Sequence, residues 1–427
     1  MRGRTVVIAG LAAALAFWIP ATAHDPDTPE GKAAIEAFMQ DLQPPDRAEP
    51  IVGRLVPCIN GMAGKYPCDN VHLLSRMPLD SIGGGRGNDI WGWTDRRTGH
   101  EYALVGRTNG TAFVDVTNPL RPKYLGNLPS HRGTSIWRDI KVYKNHAFVV
   151  ADLIEGHGMQ VFDLRRLRGV TTPQTFTADA HYAKFGPAHN IAINRVTGFA
   201  YAVGSNTCKG GLHMVDISDP THPREAGCVG KDGYTHDTQC VVYYGPDADY
   251  RGRELCFNSN EDTVTIVDVT NKAKPVQISR TAYTGASYTH QGWLARGQRY
   301  WLQDDELDEA TGNSPKTRTY IFDMADLDHP KRVGTYVAKV SSIDHNQYVN
   351  DGYTYQANYQ SGLRILDLSR IESGILTQAG FFDIYPKSNA ASFNGSWSVY
   401  PYFESGTVVI SGIEQGLIVV RPVLPPR

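Results

Sequence analysis

Imidazole and carboxylate side chains are the groups of this chain best suited to bind a metal, move a proton or orient a polar ligand, and they are placed periodically. His189, His236, His290 and His345 recur about every fifty residues, in AHNIAIN, THDTQCVV, THQGWLA and DHNQYVN. Asp237 and Asp344 neighbour two of them, and Asp89 and Asp139 take the equivalent place in GNDIWGW and WRDIKVY. His157 and Glu414 follow the apolar runs AFVVAD and VVISG. Three or four of the four histidines meeting at one point would suit zinc or another divalent transition ion, whereas Asp, Glu and Asn oxygens would suit calcium. No compact His-x-x-x-His spacing occurs, so a hydrogen-bonded network lining a channel outweighs a metal site in this reading. The acidic run DDELDE, residues 304–309, reads as a solvated loop rather than a cation site.

What brings such dispersed residues together is a repeat. GTAFVDVTNPLRP at 110–122 is echoed by GLHMVDISDPTHP, DTVTIVDVTNKAKP and TRTYIFDMADLDHP, and more weakly around Asp163 and Asp367. A period near fifty residues, with short runs rich in Val, Ile, Tyr and Phe between Gly, Asn, Asp and Pro, predicts a β-propeller. Seven inner strands are expected, starting near Asp89, Asp139, Asn190, Thr238, Gln291, Asn346 and Trp397. The fold class is thus all-β, with seven four-stranded antiparallel blades. The last blade lacks an outer strand, and residues 72–79 (HLLSRMPL) supply one, closing the ring between the termini. The repeated Asp reads as a turn residue whose side chain bonds the N–H groups ahead of it. In this fold the listed His and Asp residues, with Glu414, gather on one rim of the channel.

Outside residues 72–422 lie three short segments. Residues 1–23 have the basic start, apolar run and Ala-Thr-Ala site of a secretory signal peptide. Residues 24–71 form an extension with a short helix, on which Ile35, Phe38, Met39 and Leu42 recur at helical spacing. Residues 423–427 are a tail. No later stretch is apolar for long enough to span a bilayer, so none is expected after signal removal. Six cysteines suit a secreted protein, periplasmic or extracellular, and hairpin alignment favours Cys58–Cys68, Cys208–Cys228 and Cys240–Cys256. A formal net charge of −2 argues against nucleic acid as a partner. No phosphate-binding loop, dinucleotide fingerprint or Gly-x-Ser-x-Gly elbow is present.

Taken together, NGMAGKYPC, GNDIWGW, WRDIKVY, AHNIAIN, GYTHD, YTHQGW, IDHN and SGIEQG, with the repeated Val-Asp strand, resemble the LVIVD-repeat proteins called choice-of-anchor B. The resemblance runs from about Pro57 to Pro422 and implies an exported, often surface-attached propeller without an assigned activity. The short PVLPPR after Arg421 departs from the family's anchoring tails, which favours release over attachment. Two functions follow as expectations. One is a binding or scaffold protein presenting a His/Asp-rich rim to a protein, glycan or surface polymer. The other is a metal-dependent hydrolase or lyase using the same rim. The absence of a catalytic motif favours the first.

Overall fold

A computed structural model describes residues 29–425, so the signal-peptide expectation lies outside the described residues. Seven sheets follow one another along the chain, each built on four antiparallel strands from inner to outer, with a short parallel strand, Gln174–Thr175, added to the first. Their inner strands are Gly87–Thr94, Arg138–Tyr143, Asn190–Asn194, Asp237–Val242, Thr289–Ala295, Asn346–Asn350 and Ser396–Tyr400. All seven expected starts are met to within about two residues, because each run begins where a turn ends and alternates around buried Val, Ile or aromatic residues. Blades are numbered 1 to 7 in this order below.

The repeat owes its regularity to two local devices. The Asp at the end of the third strand in blades 1 to 6 accepts a hydrogen bond from the N–H two residues on: Thr117, Arg165, Ser218, Thr270, Ala325 and Ser369 donate to Asp115, Asp163, Asp216, Asp268, Asp323 and Asp367 at 2.7–3.0 Å. These are the turn bonds that the residue types predict. The second device is a register shift between the third and fourth strands, at Phe113/Val114, Met214/Val215, Ile266/Val267, Ile321/Phe322 and Ile365/Leu366. Such bulges sharpen strand twist at the same point of five blades.

Closure occurs as expected. Val71–Met77 pairs with Gly416–Pro422 as the outer strand of blade 7, joining the two ends of the chain in one sheet. The extension then reinforces that seam. Ile51 and Val56 bridge to Arg76 and Leu73 on the closing strand, and Asp46 forms a 2.9 Å ion pair with the buried Arg76 guanidinium. Farther on, Tyr66–Asp69 adds to the outer strand of blade 6 through Cys68 and Asp69. Residues 44–71 are therefore a strap across blades 6 and 7. All three expected disulfides are present: Cys58–Cys68, Cys208–Cys228 and Cys240–Cys256. Cys240 and Cys256 are direct register partners on adjacent strands of blade 4.

The helix Pro29–Asp41 lies over one mouth of the channel. Its apolar stripe needed a partner, and finds one in the loops around that mouth. Phe38 is 2% exposed, with its ring centroid 5.0 Å from Trp137, 5.1 Å from Phe393 and 6.1 Å from Trp397. Ala34 packs toward Tyr288 and Leu307 on the far side. Met39, expected on the same stripe, points outward and is half exposed. At the helix end the Asp41 carboxylate accepts from the Ser392 hydroxyl and the Phe393 N–H at 2.7 and 2.6 Å.

Candidate functional site

Beneath this helix the four histidines of blades 3 to 6 do converge. Successive ring centroids of His189, His236, His290 and His345 lie 4.3, 4.1 and 4.6 Å apart. They share a cavity of about 10 Å³ with Trp137, Arg138, Asn190, Asn346 and Trp397. All four imidazoles are buried, from 1% to 6% exposed. The rim is thus closed: a space of this size takes about one water or one ion.

Hydrogen bonds fix the tautomers. His236 Nδ1–H donates to the His290 carbonyl at 3.0 Å, and His345 Nδ1–H donates to the Trp397 carbonyl at 2.5 Å. A carbonyl can only accept, so Nδ1 of each ring carries a proton, and a neutral ring then has its lone pair at Nε2. His189 Nδ1 lies 2.8 Å from an Asp152 carboxylate oxygen. Glu306, from the end of the second strand of blade 5, enters the same group. Its Oε2 is 3.7 Å from His290 Nε2, its Oε1 is 3.7 Å from His345 Nε2, and Oε1 also accepts from the Tyr359 hydroxyl at 2.7 Å. Burial pushes the Glu306 carboxyl up to about 7, against the opposing Tyr359 bond. Burial pushes His345 down to about 3, so its contact with Glu306 is not an ion pair at neutral pH. One ligand atom each from His236, His290 and Glu306 falls within 4.8 Å of the others. Two imidazoles and a carboxylate at that separation form a donor set that suits zinc and its neighbours.

The remaining predicted rim residues divide. Asp89 and Asp139 face the channel but serve the blade junctions: Asp89 accepts from Ile140 N–H at 3.0 Å and Asp139 from Ile191 N–H at 2.7 Å. Between them sits the Lys141 ammonium, 3.7 Å from Asp89 and hydrogen-bonded to Asp139. Asp237 also lines the channel wall, and burial, then the Asp139 charge, raises its carboxyl to about 7. The same junction chemistry continues round the ring, with Asn190 donating to the His236 carbonyl and Gln291 exchanging two bonds with the Gln347 backbone. The expected inter-blade network is real, and the histidine bonds to carbonyls belong to it.

His157 stands apart from the four, because its ring turns toward Arg138. Its Nε2 is 3.2 Å from Arg138 Nη1, and its Nδ1–H donates to the Gly158 carbonyl at 2.9 Å. Burial, then the guanidinium charge, lowers its pKa to about 3. Glu414 is buried at the mouth of blade 7, where one oxygen accepts from Gly395 N–H at 3.0 Å; it does not line the histidine cavity. Asp344, at the start of blade 6, joins a different group: Asp308, Glu309 and Asp344 come within 4.8 Å of one another.

That group corrects the reading of DDELDE as solvated. Asp304, Asp305 and Asp308 are 0% exposed, because the loop folds inward under the mouth rather than out into water. Local composition predicts solvation, and only the tertiary path of the loop reverses it. The destination of the helix was not legible in the sequence, nor was the closing of the cavity by Trp137 and Trp397. What signal there was lay in the unpartnered Ile35–Phe38–Leu42 stripe.

Residues 186–230, the whole of blade 3 with its flanks, match the LVIVD repeat family. No curated protein matches the chain. Among solved structures, the β-propeller domain of Cps50 (Swd1) from Myceliophteria thermophila aligns with a TM-score of 0.52 at 13% identity, over 80% of this chain and 98% of that one. A functionally unknown protein from Desulfotomaculum acetoxidans DSM 771 aligns with a TM-score of 0.50 at 11% identity, over 72% of this chain and 89% of that one. At these identities the likeness is one of fold alone.

Proposed function

We propose that this chain is an exported propeller scaffold or binding protein, periplasmic or extracellular, whose channel mouth holds a divalent transition ion beneath the N-terminal helix. The observation that carries the reading is the meeting of His236, His290 and Glu306 within 4.8 Å around a buried space. His236 and His345 each donate Nδ1–H to a backbone carbonyl, the outer bond that commonly orients a metal-binding imidazole through Nε2. His345 and His189 flank the set and complete its polar lining. The bound ion would supply cross-linking between blades 4 and 5, and the helix would keep water from it. Three disulfides, together with the signal-peptide pattern expected in residues 1–23, support work outside the cytoplasm. Among the described residues no helix is long and apolar enough to cross a membrane. With the mouth sealed, a protein, glycan or surface polymer would meet the outer loops and not the imidazoles. The test is zinc binding by untagged, chelator-treated protein. Tight one-to-one binding that His236→Ala and His290→Ala remove supports the reading, and binding unchanged in both variants contradicts it.

The second reading, a hydrolase or lyase on the same rim, draws support from Glu306. A carboxyl titrating at about 7 beside two imidazoles can hold or give up a proton near neutrality. Substrate access would require the helix to lift, and Phe38 is its main anchor over the mouth. Phe38→Ala should then create turnover of ester, phosphoester or peptide probes where the parent has none. Absence of turnover in a folded, metal-loaded Phe38→Ala protein counts against catalysis.

A further inference from the structure

Burying several carboxylates together is costly unless protons, cations or hydrogen bonds compensate them. In the loop that leaves the second strand of blade 5, the compensation is uneven. Asp305 is fully served: its oxygens accept from Ser287 N–H, Tyr288 N–H and the Tyr283 hydroxyl at 2.7–3.0 Å. Asp308 uses Oδ2 for Arg318 Nε at 2.9 Å, while its Oδ1 has no hydrogen-bond partner. Asp344 uses Oδ2 for Asp305 N–H at 3.2 Å, and its Oδ1 has none. Glu309, at 6% residue exposure, has no donor from another residue for either oxygen, and its carboxyl shares a bond with that of Asp308 only while one of the two holds a proton. Among the described residues, Arg318 is the cation paired with this trio.

The loop is held in this shape by its own backbone. Thr311 N–H donates to the Leu307 carbonyl, Gly312 N–H to Glu309 and Ser314 N–H to Asp308, at 2.8–3.2 Å. Asp308 and Glu309 are therefore turned inward before any ligand arrives, toward Asp344 from the next blade. The donor atoms of all three fall within 4.8 Å of one another, a span that one Ca²⁺ with bonds of about 2.3–2.6 Å can bridge. No nitrogen or sulfur donor belongs to the group, which sets it apart from the imidazole site.

We propose that Asp308, Glu309 and Asp344 bind a calcium ion that ties the blade 5 loop to the start of blade 6. It rests on residues distinct from the transition-metal set, so either can fail alone. The test uses the full mature chain, stripped with chelator and dialysed, titrated with CaCl2 by calorimetry and followed by thermal melting. Saturating Ca²⁺ should bind one-to-one and raise Tm by several degrees, since a ligand of the native state stabilises it. Glu309→Gln keeps size and should weaken Ca²⁺ by at least about tenfold, with Asp344→Asn as a second variant. Asp326→Asn, in the exposed acidic group on the other side of the blades, should keep the wild-type response. Absence of both binding heat and Tm shift in the stripped parent overturns the proposal. So does a Zn²⁺ isotherm without a Ca²⁺ one, or unchanged Ca²⁺ affinity in folded Glu309→Gln.

Discussion

The imidazole group of blades 3 to 6 and the carboxylate group of the blade 5 loop lie under the same mouth, yet each meets burial in its own way. Imidazoles can enter a dry space by giving up a proton, and His345 does so, held at about 3 by burial. Their N–H groups then serve neighbouring carbonyls, so the cluster doubles as part of the seam between blades. A carboxylate can become neutral in such a space only by taking up a proton. Burial first, and then the neighbouring Asp308 charge, pushes Glu309 up to about 11, which keeps a proton on it unless a cation takes that place. The difference teaches that a buried polar group is informative about ligands mainly when its partners run out.

The largest expected effect removes both regions together. Deleting Val71–Met77 leaves blade 7 with an open edge and strips the strap of its bridges to Arg76 and Leu73. The product should aggregate or fail to fold; a stable monomer on gel filtration would contradict closure by this strand.

Within the carboxylate group, opposite signs are expected. Asp305→Ala strands the Ser287 and Tyr288 N–H groups and leaves the Tyr283 hydroxyl only Thr289 as a partner, for a loss of about 3 kcal/mol in denaturant unfolding. Glu309→Gln should instead stabilise the metal-stripped protein at pH 7, by about 1 kcal/mol or more. The reason is linkage: a folded pKa above the unfolded value gives stability that is present below about 4.5 and lost as pH rises toward 11. Stripped parent should therefore weaken from pH 5 to pH 9, and Glu309→Gln should flatten that slope. Equal slopes in the two proteins would break the comparison.

On the imidazole side the slope reverses. His157, held at about 3 by burial and Arg138, binds fewer protons folded than unfolded between about 3 and 6.5. Its contribution is complete above 6.5 and declines as pH falls, by at most about 1.4 kcal/mol per pH unit. His157→Gln should lessen acid sensitivity between pH 6.5 and 5, measured by melting at fixed ionic strength. The disulfide Cys240–Cys256 closes a loop of separation 16 and should contribute on the order of 3 kcal/mol, without changing either slope.

Much of the propeller was legible because its causes are local and repeated. The Asp turns at 115, 163, 216, 268, 323 and 367 depend on side chains two residues from their partners, and the inner strands follow from apolar alternation between turn residues. Cysteine pairing followed from hairpin register. Convergence of His189, His236, His290 and His345 was legible from the period alone. What the period could not convey was direction: His157 shares the rim but turns to Arg138, and Asp344 turns to the DDELDE loop. Nor could composition tell that this loop runs inward, since charged residues close together in sequence ordinarily seek water. Glu306 became a neighbour of His290 only through that same path. The helix stripe was visible, but the mouth that it covers is assembled from loops far along the chain, from Trp137 to Phe393, the latter 352 residues from Asp41.

Elemental analysis of the untagged full chain, purified without chelator, would count the transition ion held by His236, His290 and Glu306. About one zinc-class ion per chain is expected, lost in His236→Ala and in His290→Ala while the fold persists. A metal-free parent protein, or a transition-metal content unchanged in both variants, would contradict it.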